Sequence, residues 1–257
     1  MKRSDQNETP FLIGVLGGTV TTEDTNHTKT AGSSATPFGE PSAALQNLDM
    51  GLANVAFMAR HGHPHAIAPH DINYRANLWA LYEASVSAII AIYAVGAIRN
   101  DLVIGDIVIP DQIIDYTWGR EGSFNAKLGL NHFDFSEPFN AVVRQHLISS
   151  AKESGHSVHT TATYGCTQGP RLETSAEIER LRRDGCDLVG MTAMPEAALA
   201  RELNIPFGGI CLIVNAAAGR SDGPIRHQEI SLAVARNSAN LLDIVGRAAR
   251  ALRDSFR

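Results

Sequence analysis

Between residues 169 and 219, apolar residues recur first with a helical and then with a strand-like period, which predicts the order helix, strand, helix, strand. Thr174 followed by Glu177 has the signature of a capping box, which satisfies backbone N–H groups at the start of a helix. Gly185 suits the left-handed conformation in which many helices end. We therefore predict a first helix of about ten residues after Thr174.

The two predicted strands of this stretch are residues 188–191 and 207–214, and Pro195 opens the helix between them. The second run is apolar on both faces, as expected of a strand buried between two layers. Two buried strands joined by one helix are expected to be parallel, with a right-handed crossover. Open α/β sheets bind ligands at the carboxyl ends of their strands, and this arrangement places three residues there: Met191, Thr192 and Asn215.

The same patterns extend over the rest of the chain. Apolar runs predict strands at 11–16, 54–59, 86–92, 104–110, 112–115 and 156–166, and helical spacing predicts helices at 73–82, 139–154 and 228–257. Residues 1–10 are read as a disordered tail and residues 20–50 as a long surface loop. Residues 117–138 carry aromatic side chains without periodicity, which is typical either of an interface or of a loop packed on itself.

Composition indicates one α/β domain spanning residues 1–257. The chain is 44% hydrophobic and 19% charged, and its formal net charge of −5 argues against a nucleic-acid or anionic-membrane partner. The three cysteines are widely spaced, so we expect free thiols and no metal site. Because no signal-like segment and no run of about eighteen apolar residues is present, a cytoplasmic protein is expected.

Polar residues follow several predicted strands, and each has a plain alternative explanation. Gly17-Gly18-Thr19 offers backbone N–H groups and a hydroxyl to an anion, although double glycines after a strand more often form only a tight turn. Arg60 and His61 suit phosphate, as a guanidinium fork and a second donor, but a solvated turn explains them equally well. The glycines match neither a dinucleotide fingerprint nor a Walker loop, which makes a generic nucleotide-binding protein the weaker alternative.

The position of these residues is more informative than any one of them. Five predicted strands end on the same side of the sheet in residues able to form one pocket, with hydroxyls and cations facing an amide: Thr19, Arg60 with His61, Tyr93 with Ala94, Met191 with Thr192, and Asn215.

Several motifs together resemble those of the nucleoside phosphorylases related to methylthioadenosine phosphorylase and trimeric purine nucleoside phosphorylase, most of all the bacterial methylthioinosine phosphorylase group. They are GVLGGT, FMARHGHPH, NYRAN, GDIVIPDQIID, TQGPRLET, GMTAMPEAALARE and IVNAAAG, spread from residue 11 to about residue 249. The resemblance implies a single-domain nucleoside phosphorylase fold, with a twisted mixed sheet flanked by helices, and a homotrimer. It also implies attack of inorganic phosphate on C1′ of a purine nucleoside, with no cofactor and no metal.

Site residues follow from the resemblance, motif by motif. Arg60, His61 and Asn215 would be catalytic, Met191 would lie under the ribose, and His132 would reach the 5′ end of the sugar in a neighbouring subunit's site. The phosphate would be held by Thr19, Arg60, His61, Tyr93, Ala94 and Thr192. As the glycosidic bond lengthens, the sugar becomes cationic and the purine anionic, so a fixed anion below C1′ and a donor near N7 stabilise the transition state.

Base preference is argued from the residues that match the purine-binding positions. Adenine-handling relatives carry acids where this chain has Asn215 and Ala217, and Glu173, beside Leu172, resembles the glutamate that accepts from N1–H of a 6-oxopurine. His227 matches a histidine of the enzymes that prefer a 5′-hydroxyl. We therefore predict phosphorolysis of S-methyl-5′-thioinosine, inosine or guanosine in purine salvage.

Two alternatives remain open from the sequence. One is a methylthioadenosine phosphorylase. The other is a nucleoside-binding homologue with impaired catalysis, because Val20 replaces a glycine of the phosphate loop and Tyr93 replaces a small polar residue that contacts phosphate in relatives.

Overall fold

The protein was analysed as a computed structural model, which describes residues 11–18, 27–28, 35–49 and 54–256. The strands are β1 Ile13–Gly17, β2 His27–Thr28, β3 Gln46–Asp49, β4 Asn54–Ala59, β5 Ala88–Ala97, β6 Ile107–Val108, β7 Gln112–Asp115, β8 Val158–His159, β9 Thr163–Cys166, β10 Leu188–Gly190 and β11 Phe207–Ala216. The helices are α1 Tyr74–Glu83, α2 Asn125–Leu128, α3 Ala141–Glu153, α4 Ser175–Arg183, α5 Ala193–Glu202 and α6 His227–Ser255.

Strand β5 is the centre of one mixed sheet, whose main path runs β2-β3-β4-β1-β5-β10-β9-β7. Its first half pairs in parallel with β1, its last two residues pair antiparallel with β10, and β11 pairs in parallel along its whole length. The short strands β6 and β8 continue from β11. The predicted mixed α/β sheet with flanking helices is confirmed, and a sequence of small and β-branched apolar residues lets β5 be buried on both faces.

The predicted parallel arrangement of β10 and β11 is wrong. Strand β10 is antiparallel to β5, whereas β11 is parallel to it, so β10 and β11 run in opposite directions. The chain enters β10 beside the end of β5, where the N–H groups of Ile98 and Arg99 each donate to the Asp187 carbonyl at 2.9 Å. The handedness rule for a crossover between parallel strands therefore does not apply here.

Other element boundaries differ from prediction for local reasons. Strand β5 continues through Tyr93 to Ala97, because β11 supplies backbone partners beyond Ile92. The predicted loop at 20–50 contains β3, which pairs antiparallel with β4 although its sequence, QNLD, is mostly polar. The run 156–166 forms two short strands, β8 and β9, that pair with different neighbours.

Several local predictions are confirmed. The Thr174 hydroxyl accepts from the Glu177 N–H at 3.1 Å, and the Glu177 carboxylate accepts from the Thr174 N–H at 2.7 Å, which completes the capping box. Gly185 is left-handed with φ +96°. Regular helical geometry in α5 begins at Pro195, because Met194 has an extended backbone.

Apolar helix faces cover the sheet on both sides. Leu78 of α1 and Leu199 of α5 belong to one buried cluster, while Leu147 of α3 and Ile244 of α6 belong to the other. Each such side chain contributes roughly 1.5–3 kcal/mol by leaving water. No helix of the described residues combines the length and apolar character needed to cross a membrane.

Candidate active site

A cavity of about 390 Å³ opens beside the central strands of the sheet. Nine of the residues predicted from sequence line it: Arg60, His61, Tyr93, Ala94, Leu172, Glu173, Met191, Thr192 and Asn215. Its volume falls within the range of small-molecule sites. The predicted cationic group and the predicted amide therefore share one cavity.

Met191 follows β10, the strand that is antiparallel to β5. Strand β10 has only three residues, and Val189 is paired with Gly96, so the chain leaves β10 beside the carboxyl-terminal part of β5. Tyr93 and Ala94 were expected to follow the end of a strand, but they lie within β5. Asn215 lies on β11 at a register irregularity opposite Gly96. The site therefore lies along the carboxyl-terminal half of β5 and beside the carboxyl ends of β1, β4 and β11.

Arg60 lines the cavity, is only 1% exposed, and is held by several hydrogen bonds. Its Nε donates to Oε1 of Glu196 at 2.5 Å and its Nη2 donates to Oε2 at 3.0 Å, a bidentate pair. Nη1 donates to the Ile92 carbonyl at 3.1 Å. Burial alone would lower the pKa of Arg60, but the Glu196 carboxylate outweighs burial and raises it, so the guanidinium stays charged.

Glu196 is a functional residue that the sequence analysis missed. It lies on α5, is fully buried, and accepts from Arg60 and, through Oε2, from the Tyr93 hydroxyl at 2.9 Å. The Arg60 guanidinium also stacks over the Tyr93 ring, 5.0 Å from its centroid. A glutamate between apolar neighbours on the buried face of a helix was the available signal, because buried carboxylates need partners.

Tyr93 is 2% exposed, and its hydroxyl is engaged by Glu196. Burial raises the pKa of Tyr93 well above its ordinary value, and the nearby Glu196 carboxylate adds to the effect. The hydroxyl is therefore a neutral donor throughout the physiological range.

His61 is a buried neutral imidazole. Its Nδ1 lies 2.7 Å from the Ile67 carbonyl, which can only accept, so Nδ1 carries the proton. Burial lowers the pKa of His61 to about 4, and the positive Arg60 adds to the effect. The ring stacks on His65 with centroids 4.2 Å apart. Nε2 is therefore an acceptor near neutral pH, whereas the sequence analysis assigned His61 a donor role.

Gly18 brings the backbone close to the side chains of Arg60 and His61. A Cβ at this position would lie 3.1 Å from Nη1 of Arg60 and 3.3 Å from Cδ2 of His61. The absence of a side chain permits that approach. Thr19 and Val20, the next residues of the predicted phosphate loop, lie outside the described residues.

The amide and carboxylate side of the cavity carries Asn215 and Glu173. Nδ2 of Asn215 donates to the Ala216 carbonyl at 2.7 Å. Oε1 of Glu173 accepts from the Thr167 hydroxyl at 2.6 Å. These contacts hold both side chains in place beside the cavity.

Three predicted residues do not line the cavity of this chain. Ala217 is buried in a separate apolar cluster, and His132 is exposed on the irregular segment after α2. His227 is exposed in the first turn of α6, although Ile230, one turn later, does line the cavity. His65 also lines it and was missed, even though the motif HGHPH places it four residues after His61.

Among the described residues, no cluster of three or more histidine, cysteine or acidic side chains could hold a metal ion. The cysteines Cys166, Cys186 and Cys211 are all buried free thiols. Burial raises the pKa of Cys166 to about 12, so this thiol is protonated at neutral pH.

Known proteins resemble this chain in sequence and in overall structure. The sequence model of the Phosphorylase superfamily matches residues 13–250. A probable S-methyl-5′-thioinosine phosphorylase of Pseudomonas syringae pv. tomato is 48% identical over 201 residues, which cover 77% of this chain and 82% of the relative. The 6-oxopurine nucleoside phosphorylase of Pyrococcus furiosus is 40% identical over 240 residues, covering 91% and 90% of the two chains.

A similar solved structure is the methylthioadenosine phosphorylase of Schistosoma mansoni in complex with adenine, with a TM-score of 0.88 and 30% identity. The similarity covers 95% of this chain and 92% of that one.

Proposed function

Because the chain belongs to the Phosphorylase superfamily, we propose that it catalyses phosphorolysis of 6-oxopurine nucleosides to the free base and a pentose 1-phosphate. The substrates would be S-methyl-5′-thioinosine, inosine or guanosine, in purine salvage. One observation carries the proposal: Arg60 and His61 line the same cavity as Asn215 and Glu173. A nucleoside held between these groups has its sugar next to the phosphate and its base next to the amide and carboxylate.

Phosphate is the co-substrate and would bind on the Arg60 side. After the bonds of the guanidinium to Glu196 and to the Ile92 and Leu16 carbonyls, one N–H of Nη1 remains for phosphate. Gly18 allows backbone to approach the same place. Nε2 of neutral His61 accepts the hydroxyl proton of monohydrogen phosphate. Tyr93 acts through Glu196, and Ala94, Thr192 and Thr19 complete the proposed set.

Bond cleavage would follow from charge. A phosphate oxygen forms a bond to C1′ while the bond from C1′ to the purine nitrogen breaks, and the electron pair moves to the base. The Asn215 amide donates to N7 or O6 of the departing purine, where negative charge develops. Glu173 accepts from N1–H of a 6-oxopurine, a donor that a 6-aminopurine lacks. Met191 lies below the ribose.

The 5′ end of the sugar would be read by Ile230, which lines the cavity, and by two histidines that do not. We place His132 of a neighbouring subunit there, in a homotrimer, together with His227 at the start of α6. A methylthio group would favour Ile230, and a hydroxyl would favour the histidines.

The test is a phosphorolysis assay that compares inosine, guanosine, adenosine, methylthioinosine and methylthioadenosine, each with and without phosphate. Phosphate-dependent release of hypoxanthine or guanine supports the proposal. Release of adenine alone would instead establish a methylthioadenosine phosphorylase, the second candidate, which the similarity to the Schistosoma mansoni enzyme favours.

A third outcome corresponds to the nucleoside-binding homologue. Calorimetry would detect purine nucleoside binding, yet no phosphorolysis would occur even at high enzyme concentration. Val20 and Tyr93 are the substitutions that motivate this alternative.

A further inference from the structure

Arg120 lies in the irregular segment between β7 and α2. Its side chain connects several backbone segments that surround the cavity. The four N–H groups of its two Nη atoms are shared among five acceptors, whereas Nε has no hydrogen-bond partner among the described residues. Nη1 reaches Met194 O at 2.5 Å, Met191 O at 2.8 Å and Tyr74 Oη at 3.1 Å, and Nη2 reaches Gln168 O at 2.9 Å and Thr167 O at 3.3 Å. Arg120 itself is not among the residues that line the cavity.

The charge of Arg120 is balanced by dipoles and by no carboxylate. Among the described residues, no acidic oxygen lies within 4.0 Å of its guanidinium. The guanidinium instead packs over the Tyr74 ring, 5.2 Å from the centroid, and faces main-chain carbonyls. A half-buried charge of this kind is stable only where those carbonyls are held in place around it. The side chain and the backbone segments therefore fix one another.

The segments that supply these acceptors carry the ligand-facing residues. Met191 lines the cavity directly, and the turn that starts after Gln168 leads to Leu172 and Glu173, which line it too. The Tyr74 hydroxyl donates in turn to the Pro69 carbonyl at 2.7 Å, and Pro69 also lines the cavity.

Arg60 and His61, on the phosphate side, depend on different contacts. Arg60 is held by Glu196 and by the Ile92 carbonyl, and His61 is held by the Ile67 carbonyl. None of these partners is a hydrogen-bond acceptor of the Arg120 guanidinium.

We propose that Arg120 is a positioning residue for the nucleoside: it sets the distance between the sugar floor at Met191 and the base-reading turn at residues 168–173. The inference rests on the proposed phosphorolysis. It assigns a role to the segment that contains the motif TWGRE. This segment shows no sequence periodicity, and the residues proposed to bind phosphate and base do not explain it.

The experiment compares Arg120→Met and Arg120→Lys with wild type. Arg144→Met is the matched control, because Arg144 also binds backbone carbonyls, of Pro110 and Thr160, at 2.9 and 2.6 Å, away from the cavity. Steady-state kinetics give KM for inosine or methylthioinosine, KM for phosphate and kcat. Circular dichroism monitors folding, and titration of active sites gives the competent fraction.

We expect Arg120→Met to lower kcat/KM for the nucleoside by on the order of 10²-fold, because small displacements of positioning groups have effects of that size. KM for phosphate stays near the wild-type value. Arg120→Lys keeps the charge but not the planar fork, so it recovers only part of the loss. Arg144→Met leaves both KM values unchanged.

The role is overturned if Arg120→Lys, or a folded Arg120→Met, raises KM for the nucleoside and KM for phosphate together. It is also overturned if either variant only lowers the fraction of competent enzyme and leaves both KM values unchanged. It is equally overturned if Arg144→Met reproduces the effect. Should wild type phosphorolyse no nucleoside, the proposed function fails instead. Calorimetric binding of inosine to the same proteins then decides the role of Arg120, and equal affinity in wild type and Arg120→Lys counts against it.

Discussion

Asn215 is the residue on which the proposed base preference depends, because its amide is the group proposed to face the purine. We predict that Asn215→Asp shifts the ratio of kcat/KM values towards 6-aminopurine nucleosides by on the order of tenfold, since a carboxylate accepts from an amino group and repels O6. Competition between inosine and adenosine measures the ratio.

Asn125→Asp serves as the matched control, because Asn125 is exposed and receives the same added charge. An unchanged base ratio in Asn215→Asp would remove Asn215 from the base-reading role.

Tyr93 shows how an apparent departure from a family pattern is accommodated. Its hydroxyl supports Glu196, which orients Arg60. We predict that Tyr93→Phe lowers the free energy of unfolding by about 2 kcal/mol, because it removes a hydrogen bond to a charged acceptor while keeping the ring. KM for phosphate rises with it, whereas KM for the nucleoside changes less. Urea denaturation and steady-state kinetics test the two parts, and a lower KM for phosphate would show that the hydroxyl obstructs the site.

At the scale of elements, local chemistry was predictable and strand direction was not. The capping box at Thr174 and the left-handed Gly185 depend on neighbours within a few residues, so the sequence specifies them. Strand β10 is a three-residue apolar run that looks the same in either direction, and only its pairing with β5 fixes its orientation. The extent of β5 likewise depends on β11, more than a hundred residues away in sequence.

The candidate site divides in the same way. Arg60, Met191, Thr192 and Asn215 could be found because each lies next to or within a recognisable strand and motif. The groups that hold them in place could not be found. Glu196 is 136 residues from Arg60 in sequence, and Arg120 acts through main-chain carbonyls, which leave no trace in residue type.

Close packing of β11 on α3 gives a prediction for an element. A Cβ at Gly208 would lie 2.4 Å from a methyl carbon of Val143, so even alanine forces the helix away from the strand. We predict that Gly208→Ala destabilises the fold by roughly 1–3 kcal/mol, the usual effect of overpacking.

The pair Gly208→Ala and Val143→Ala tests the cause. Removing the Val143 methyl groups should restore part of the lost stability, as measured by thermal unfolding. Strictly additive losses in the double variant would exclude a direct clash.

For the whole molecule, the neutral His61 links folding to pH. Its pKa is lowered to about 4 in the folded state from an ordinary value near 6.5, so the unfolded chain binds more protons between these values. Stability contributed by the neutral ring is therefore complete above about pH 6.5 and falls as pH drops towards 4. Burial lowers the pKa of His65 as well, so both rings act in the same direction.

We predict that wild type loses more unfolding free energy between pH 7 and pH 5 than His61→Gln does, by on the order of 1–2 kcal/mol. Urea denaturation at both pH values measures the difference. Saturating phosphate should reduce the acid loss in wild type, because a bound anion favours the protonated ring. Parallel losses in the two proteins would assign the acid sensitivity to other groups.

The ion pair of Arg60 with Glu196 also affects how the co-substrate arrives. A fixed cation already balanced by a carboxylate, beside a neutral imidazole and on a chain of formal net charge −5, creates little long-range attraction for a dianion. Phosphate capture should consequently gain nothing from long-range attraction, so its rate should not fall as ionic strength rises. Selectivity for phosphate then depends on the hydrogen bonds that the anion makes once it is bound, and not on its attraction from a distance.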